Sequence, residues 1–109
     1  MCSARLYEQA DAEMNQLYKS QLRYDAKFSK LNKENHVPDG VELLRAAQRA
    51  WLAYRDKSCA YENPPDPPGS TKDSSEDELE YRCLTFYTEE RVRRLRQYLD
   101  CQSKNGPCL

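Results

Sequence analysis

The chain has no apolar run long enough to cross a membrane and almost no net charge. A membrane-spanning helix needs about 20 consecutive apolar residues. None of that length occurs in these 109 residues, whose mean hydropathy is −1.02. The formal net charge of −1 gives no overall field that would attract nucleic acid. We therefore predict one polar domain over residues 1–109 that binds no nucleic acid.

The paired cysteine spacing typical of zinc sites is also missing. There is no CxxC, and the single histidine, His36, is far from the cysteines in sequence. Because a closed zinc site needs four ligands at short paired spacings, the sequence favours disulfides, and no metal or cofactor is predicted. Disulfides indicate an oxidising compartment, such as a periplasm or the cell exterior. The five cysteines are Cys2, Cys59, Cys83, Cys101 and Cys108.

The first predicted helix covers residues 4–34. Apolar side chains recur there at steps of three, four or seven, which places them on one face. No glycine or proline interrupts the segment, and Pro38 disfavours helix at the residue before it. The predicted inward face consists of Leu6, Ala10, Met14, Leu17, Tyr24, Phe28 and Leu31.

A second helix is predicted over residues 40–61 and a third over residues 76–100. Asp39 with Glu42, and Ser75 with Glu78, have the spacing of capping boxes, which mark helix starts. The inward face of the third helix is expected to begin at Leu79.

Proline separates the second helix from the third. Residues 63–75 include four prolines, which fix φ and lack a backbone donor, so this segment is predicted to be a loop. Residues 102–109 form a short tail. Short connections favour antiparallel neighbours. The predicted fold is therefore an all-α, antiparallel three-helix bundle.

The antiparallel order predicts where the cysteines lie. Cys59 and Cys83 fall at one end of the bundle, where a disulfide would close the proline loop. Cys101 and Cys108 fall at the other end, where a disulfide would fold the tail back. Cys2 is left over. It stays a free thiol, pairs with a cysteine outside this sequence, or carries a lipid, in which case the domain would be held at a membrane.

One segment of the second helix carries a family resemblance. Its pattern is Gln48-x-x-Trp51-x-x-x-Arg55-Asp56-x-x-Cys59, which resembles the hallmark of the LprI-like family of bacterial envelope proteins. Two weaker segments fit the family in the same order. They are residues 10–18, which resemble Ala-Asp-x-x-Leu-Asn-x-x-Tyr, and residues 88–95, which resemble Thr-x-x-Arg-x-x-x-Leu.

The resemblance implies an exported all-α protein, located in the periplasm or secreted. A member of the family inhibits lysozyme, so the resemblance implies a binding protein that inhibits lysozyme or a related muramidase. The alternative is an immunity-like or assembly protein with a different protein target. Met1 leads directly into Cys2 with no signal peptide, so we expect the sequence to be that of a mature domain.

Six polar residues lie on or beside the predicted inward faces. A catalytic cleft is one interpretation, but no motif supplies a nucleophile with its base, so no catalytic residue is assigned and the chain is not predicted to be an enzyme. Buried charges must be paired, and arginine suits planar partners, which favours a structural polar network. Its predicted members are Asp11, Asn15, Gln48, Arg55, Asp56 and Arg91.

Acidic residues are concentrated around the proline loop. Residues 62–80 contain seven acids and one lysine. Charges at helix ends are commonly solvated and favour the helix dipole, which is one interpretation. The other is an acidic surface that steers a basic partner, since many lysozymes are basic. The predicted partner-binding residues are Asp66, Asp73, Glu76 and Asp77.

Overall fold

The computed structural model describes residues 2–64, 66–69 and 74–103. Within those residues the chain forms four α-helices and no strand, so the predicted all-α bundle is confirmed. The helices are α1 (Ser3–Ala26), α2 (Ser29–Glu34), α3 (Gly40–Glu62) and α4 (Ser74–Ser103). No helix of this described part is long and apolar enough to cross a membrane.

The first predicted helix is broken in two, so the prediction of one helix over residues 4–34 is wrong. The amides of Lys27 and Phe28 each donate to a carbonyl three residues back, both at 3.1 Å, which ends α1 in a tighter turn. The hydroxyl of Ser29, the first residue of α2, then donates to Asp39 Oδ1 at 2.9 Å. The apolar spacing of Tyr24, Phe28 and Leu31 continues through the break, which is why periodicity does not reveal it.

A left-handed residue ends α2. His36 has a φ of +57°, and its amide donates to the carbonyl of Lys33. The amide of Val37 donates to the carbonyl of Asn32 at 3.0 Å. These two bonds form a Schellman motif, a common helix ending in which the left-handed position usually holds glycine. The exposed His36 therefore has a backbone role that sequence analysis did not assign to it.

The predicted N-cap of α3 is confirmed, but only half of its capping box forms. Asp39 Oδ1 accepts a hydrogen bond from the amide of Val41 at 3.2 Å. Glu42 instead forms an ion pair with Arg45 at 3.0 Å. The cap of α3 thus depends on the Asp39 carboxylate, which also accepts the bond from the Ser29 hydroxyl and so joins the start of α2 to the start of α3.

The three long helices pack with α1 parallel to α4 and with α3 antiparallel to both. Ser3 contacts Glu78 and Tyr7 contacts Tyr81, which gives the parallel pair its register. The bundle is elongated, with extents of 57 × 28 × 20 Å. Its centre consists of buried Met14, Val92 and Leu95, with Leu17, Tyr18, Trp51, Leu52 and Tyr98 packed against them.

The predicted inward faces are wrong at their ends. Leu6, Phe28 and Leu31 of the first face are exposed, as is Leu79 at the start of the third. The helix α2 buries no residue at all. Apolar spacing places residues on a common face, but the ends of a helix remain exposed where no neighbouring helix covers them.

A disulfide joins α3 to α4. Cys59 and Cys83 are bonded, with a Cα–Cα distance of 5.7 Å, and both side chains are buried. The second predicted pair includes Cys108, which lies outside the described residues, so that pairing with Cys101 stays a prediction. Cys2 is exposed, and within the described part of the chain it is a free thiol.

Candidate functional site

A buried arginine lies where the three long helices meet. Arg55 is only 7% exposed, and its Nε and Nη2 both lie 2.9 Å from Asp56 Oδ1. Its Nη1 donates to Thr88 Oγ1 at 3.3 Å and lies 3.9 Å from Asp11 Oδ1. The guanidinium of α3 is thus bound by an acid of its own helix, an acid of α1 and a hydroxyl of α4.

Two aromatic rings enclose the same guanidinium. Its central carbon lies 5.5 Å from the ring centroid of Tyr7 and 5.4 Å from that of Trp51. Both distances are within the range of cation–π attraction. Burial raises the pKa of Tyr7, and the positive charge of Arg55 opposes this shift. Trp51 is therefore a packing partner of Arg55 and of the core.

The remaining predicted network residues do not all join this cluster. Arg91 Nε donates to Gln48 Oε1 at 2.9 Å, and both side chains are buried. The Nη2 of Arg91 has no described hydrogen-bond partner. Asn15 is exposed and donates to Asp11 Oδ2 at 3.3 Å. The structure therefore forms an Arg55 cluster and a separate Gln48–Arg91 pair.

The three segments that carry the family resemblance meet in these contacts. Asp11 belongs to the first segment, Arg55 to the second and Thr88 to the third. Asp11 and Arg55 were predicted from the sequence as members of a polar network, but Thr88, which is completely buried, was not. The sequence contained a signal for Thr88, because Thr88 is the first residue of the third segment of the family resemblance.

The contacts of the Arg55 cluster are those of a structural polar network inside the bundle. Arg55 contacts its counter-ions, a hydroxyl and two ring faces, which together satisfy a buried guanidinium. No group of three or more possible metal ligands occurs among the described residues.

A cleft with an acidic lining opens at the end of the bundle where α3 ends and α4 begins. Its volume is about 670 Å³, and prolines and Leu79 supply its apolar surface. Asp66 and Glu76, two of the predicted partner-binding residues, line it. Asp77 is exposed in the first turn of α4 but does not line the cleft, and Asp73 lies outside the described residues. The acids of this acidic cleft are Glu62, Asp66, Glu76 and Glu80.

Exposed aromatic side chains form a second concavity beside the first. Tyr61 is 85% exposed and Tyr54 is 58% exposed, and the ring of Tyr87 lies edge-on to Tyr54 with centroids 5.6 Å apart. We call this concavity of about 400 Å³ the tyrosine pocket. Its lining residues are Tyr54, Lys57, Ser58, Tyr61, Glu62 and Tyr87. Sequence analysis did not predict it.

Glu62 belongs to both concavities. Its Oε2 accepts a hydrogen bond from the Tyr87 hydroxyl, and that bond is the main reason that the pKa of Tyr87 is raised. Its Oε1 lies 3.9 Å from Cys83 Sγ of the disulfide. The acidic cleft and the tyrosine pocket are thus one continuous surface with a carboxylate at their junction.

Two curated proteins are similar to this chain over most of its length. The uncharacterized protein YecT of Escherichia coli (strain K12) is 27% identical over 97 residues, which cover 89% of this chain and 60% of YecT. The uncharacterized protein R02472 of Rhizobium meliloti (strain 1021) is 30% identical over 105 residues, covering 92% of this chain and 70% of R02472. No solved structure is significantly similar to the chain.

The family described as lysozyme inhibitor LprI matches residues 1–95. That range contains α1 to α3 and most of α4, and with them the Arg55 cluster, the Gln48–Arg91 pair and the Cys59–Cys83 disulfide. By this match, the chain belongs to the lysozyme inhibitor LprI family.

Proposed function

We propose that this chain is an exported envelope protein that binds and inhibits lysozyme or a related muramidase. The family match over residues 1–95 carries the proposal. An inhibitor of this kind is a binding protein rather than an enzyme, and its target is a protein. Its expected location is the periplasm or the cell exterior, where a disulfide persists.

The acidic cleft supports this proposal and suggests which surface binds. Four carboxylates line the cleft, and no lysine or arginine is among its described lining residues. A surface of one sign steers an oppositely charged protein and increases its association rate. The exposed Asp77 places further negative charge at the same end of the bundle.

The buried residues of the family resemblance are poor candidates for the binding surface. Gln48, Arg55 and Thr88 are buried and contact other helices of the same chain. A partner could reach them only by opening the bundle. The accessible surface at the junction of α3 and α4 is therefore the better candidate.

Clearing of a bacterial cell-wall suspension by lysozyme tests the proposal directly. We expect the added protein to slow clearing in a saturable way, with a stoichiometric complex detectable by calorimetry. Clearing at an unchanged rate, with no detectable complex for lysozymes of several structural types, would contradict the proposal. Capture of a different envelope protein would then favour the immunity-like or assembly role.

Charge variants test which surface binds. Replacing Asp66 and Asp77 with asparagine should weaken inhibition and reduce its dependence on salt, because steering is screened by salt. Replacing the exposed Glu34 and Glu42 with glutamine changes the net charge equally, at the end of the bundle where α3 begins, and serves as the control. Equal effects of the two pairs would exclude the acidic cleft as the binding surface.

A further inference from the structure

One face of α3 presents aromatic rings to solvent beside a carboxylate. Four residues lie along one side of this helix, because successive members are four, three and one residues apart. They are Tyr54, Ser58, Tyr61 and Glu62. The buried Cys59 lies between them in sequence and points into the bundle, towards Cys83. The disulfide therefore fixes this turn of α3 while its outer side chains remain exposed.

The helix α4 completes the pocket. Tyr87 packs edge-on against Tyr54 and also against Phe86, with ring centroids 5.6 and 5.5 Å apart. Its hydroxyl holds the Glu62 carboxylate in place. The result is a set of rings from two helices around a fixed negative charge.

The chemistry of this set suits a cationic side chain. A guanidinium or ammonium group is attracted to the faces of aromatic rings and pairs with a carboxylate. Within this protein, Arg55 is bound in the same way by Tyr7, Trp51 and Asp56. Tyrosines exposed together are also typical of the energetic centres of protein interfaces.

We infer that the tyrosine pocket receives an arginine or lysine side chain of the basic protein that the acidic cleft attracts. This inference rests on the proposed function, because it takes the partner to be a basic protein. Charge complementarity favours such an occupant, since Glu62 is shared with a cleft lined by three further acids. The cleft then provides attraction over distance, and the pocket provides the anchoring contact.

The pocket can be tested without any lysozyme. N-acetylarginine amide, titrated at millimolar concentration into the isotope-labelled protein, should shift the NMR signals of Tyr54, Tyr61 and Glu62. N-acetylnorleucine amide, which has a similar length and no charge, should leave them unchanged. The absence of arginine-specific shifts, or equal shifts with both probes, would overturn the inference.

Variants of the pocket test the same contact in the complex with lysozyme. Tyr61→Ala and Glu62→Gln should each weaken binding about thirtyfold or more, the loss expected at an interface hot spot. Tyr61→Phe retains the ring and should bind nearly as well as the wild type. Phe28→Ala removes an exposed ring outside the pocket and is the matched control.

Substitution of Lys57 should strengthen lysozyme binding, whereas Tyr61→Ala and Glu62→Gln should weaken it. Lys57 lines the pocket and is exposed, so it repels a cation that enters there. Lys57→Gln should therefore bind lysozyme more tightly than the wild type. Weaker binding by this variant would contradict a cationic occupant.

The outcomes separate this inference from the proposed function. If the wild type inhibits lysozyme and Tyr61→Ala and Glu62→Gln inhibit equally well, the function stands and the pocket assignment fails. If the wild type does not inhibit but the arginine probe binds at Tyr54 and Tyr61, the function fails and the pocket remains a site for cations. A dimer in solution that Tyr61→Ala dissociates would show that a second copy occupies the pocket and overturn the inference.

Discussion

Arg55 connects all three long helices in the interior of the bundle. It joins α3 to α1 through Asp11 and to α4 through Thr88, and it separates two aromatic rings. Its partner Asp56 is exposed, so the Asp56 carboxylate remains partly hydrated. The contribution of Arg55 therefore includes the packing of its side chain as well as its charge.

We expect Arg55→Ala to lower the free energy of unfolding by about 2–4 kcal/mol, because it removes a buried side chain together with its ring contacts. Arg55→Lys should fall between this variant and the wild type, since lysine retains the charge but not the planar geometry. Urea titration followed by circular dichroism measures both. Unchanged unfolding combined with lost inhibition would show instead that Arg55 contacts the partner.

His36 occupies a backbone conformation that glycine adopts more easily. A left-handed conformation costs a residue with a side chain about 1 kcal/mol or more. We therefore expect His36→Gly to raise the melting temperature and His36→Val to lower it, as measured by calorimetry. A melting temperature lowered by glycine would show that the exposed imidazole makes a contact of its own.

At the scale of the helices, α1 is capped by another helix. Its N-cap residue, Cys2, makes no side-chain cap, and the carboxylate of Glu78 in α4 accepts bonds from the Ser3 hydroxyl at 2.6 Å and from the Ser3 amide at 3.4 Å. These bonds favour the ionised acid and, led by the hydroxyl bond, hold the pKa of Glu78 below its ordinary value.

The cap should make stability dependent on acid pH. The pKa of Glu78 is lower in the folded state, so its stabilising effect is full above the ordinary glutamate pKa and is lost as the pH falls through the folded value. We expect Glu78→Gln to be less stable than the wild type at neutral pH, with the difference disappearing in acid. Unfolding by urea at several pH values measures this difference. A difference that persists in acid would mean that the charge is not what Glu78 contributes.

Helix starts could be predicted from the sequence where their signals are local. Asp39 caps the helix that follows it, and the position of Pro38 limits where that helix can begin. The break at Phe28 could not be predicted, because no glycine or proline marks it and the apolar spacing continues from Tyr24 to Leu31.

The same limit applies to the candidate site. The sequence shows which polar residues lie on inward faces, and the structure brings Asp11, Arg55 and Asp56 together. The sequence does not show that Gln48 and Arg91 pair separately, because that pairing depends on the register between α3 and α4. The tyrosine pocket was missed for a related reason: Tyr54 and Tyr61 share a helical spacing, but Tyr87 comes from another helix.

At the scale of the whole molecule, the Cys59–Cys83 disulfide supports both surface concavities. It closes a loop with a sequence separation of 24, and Glu62, which both concavities share, lies beside it. Replacing both cysteines with serine should lower the free energy of unfolding by about 3 kcal/mol, mainly by freeing the unfolded chain. We expect lysozyme binding to weaken as well, because the end of α3 loses its attachment to α4.

Calorimetric unfolding and lysozyme titration of the same Cys59→Ser, Cys83→Ser protein separate the two effects. Lysozyme binding is measured well below the melting temperature of the variant, where the variant is folded. Binding equal to that of the wild type would show that the concavities do not depend on the disulfide. The Cys2→Ser variant, which removes an exposed thiol at the start of α1, controls for the loss of sulfur.

The helices α3 and α4, which hold Arg55 and Thr88, are joined at the disulfide end by residues 63–73. None of the described residues of that segment (63, 64 and 66–69) contacts Arg55. We therefore expect changes of length and charge in this segment to carry little penalty to folding. A relative with the same interior and a different connection would retain the family pattern while presenting a different surface beside the tyrosine pocket. Under the proposed function, exchanging this segment between relatives should change how strongly the partner is attracted while leaving the anchoring residues of the tyrosine pocket in place.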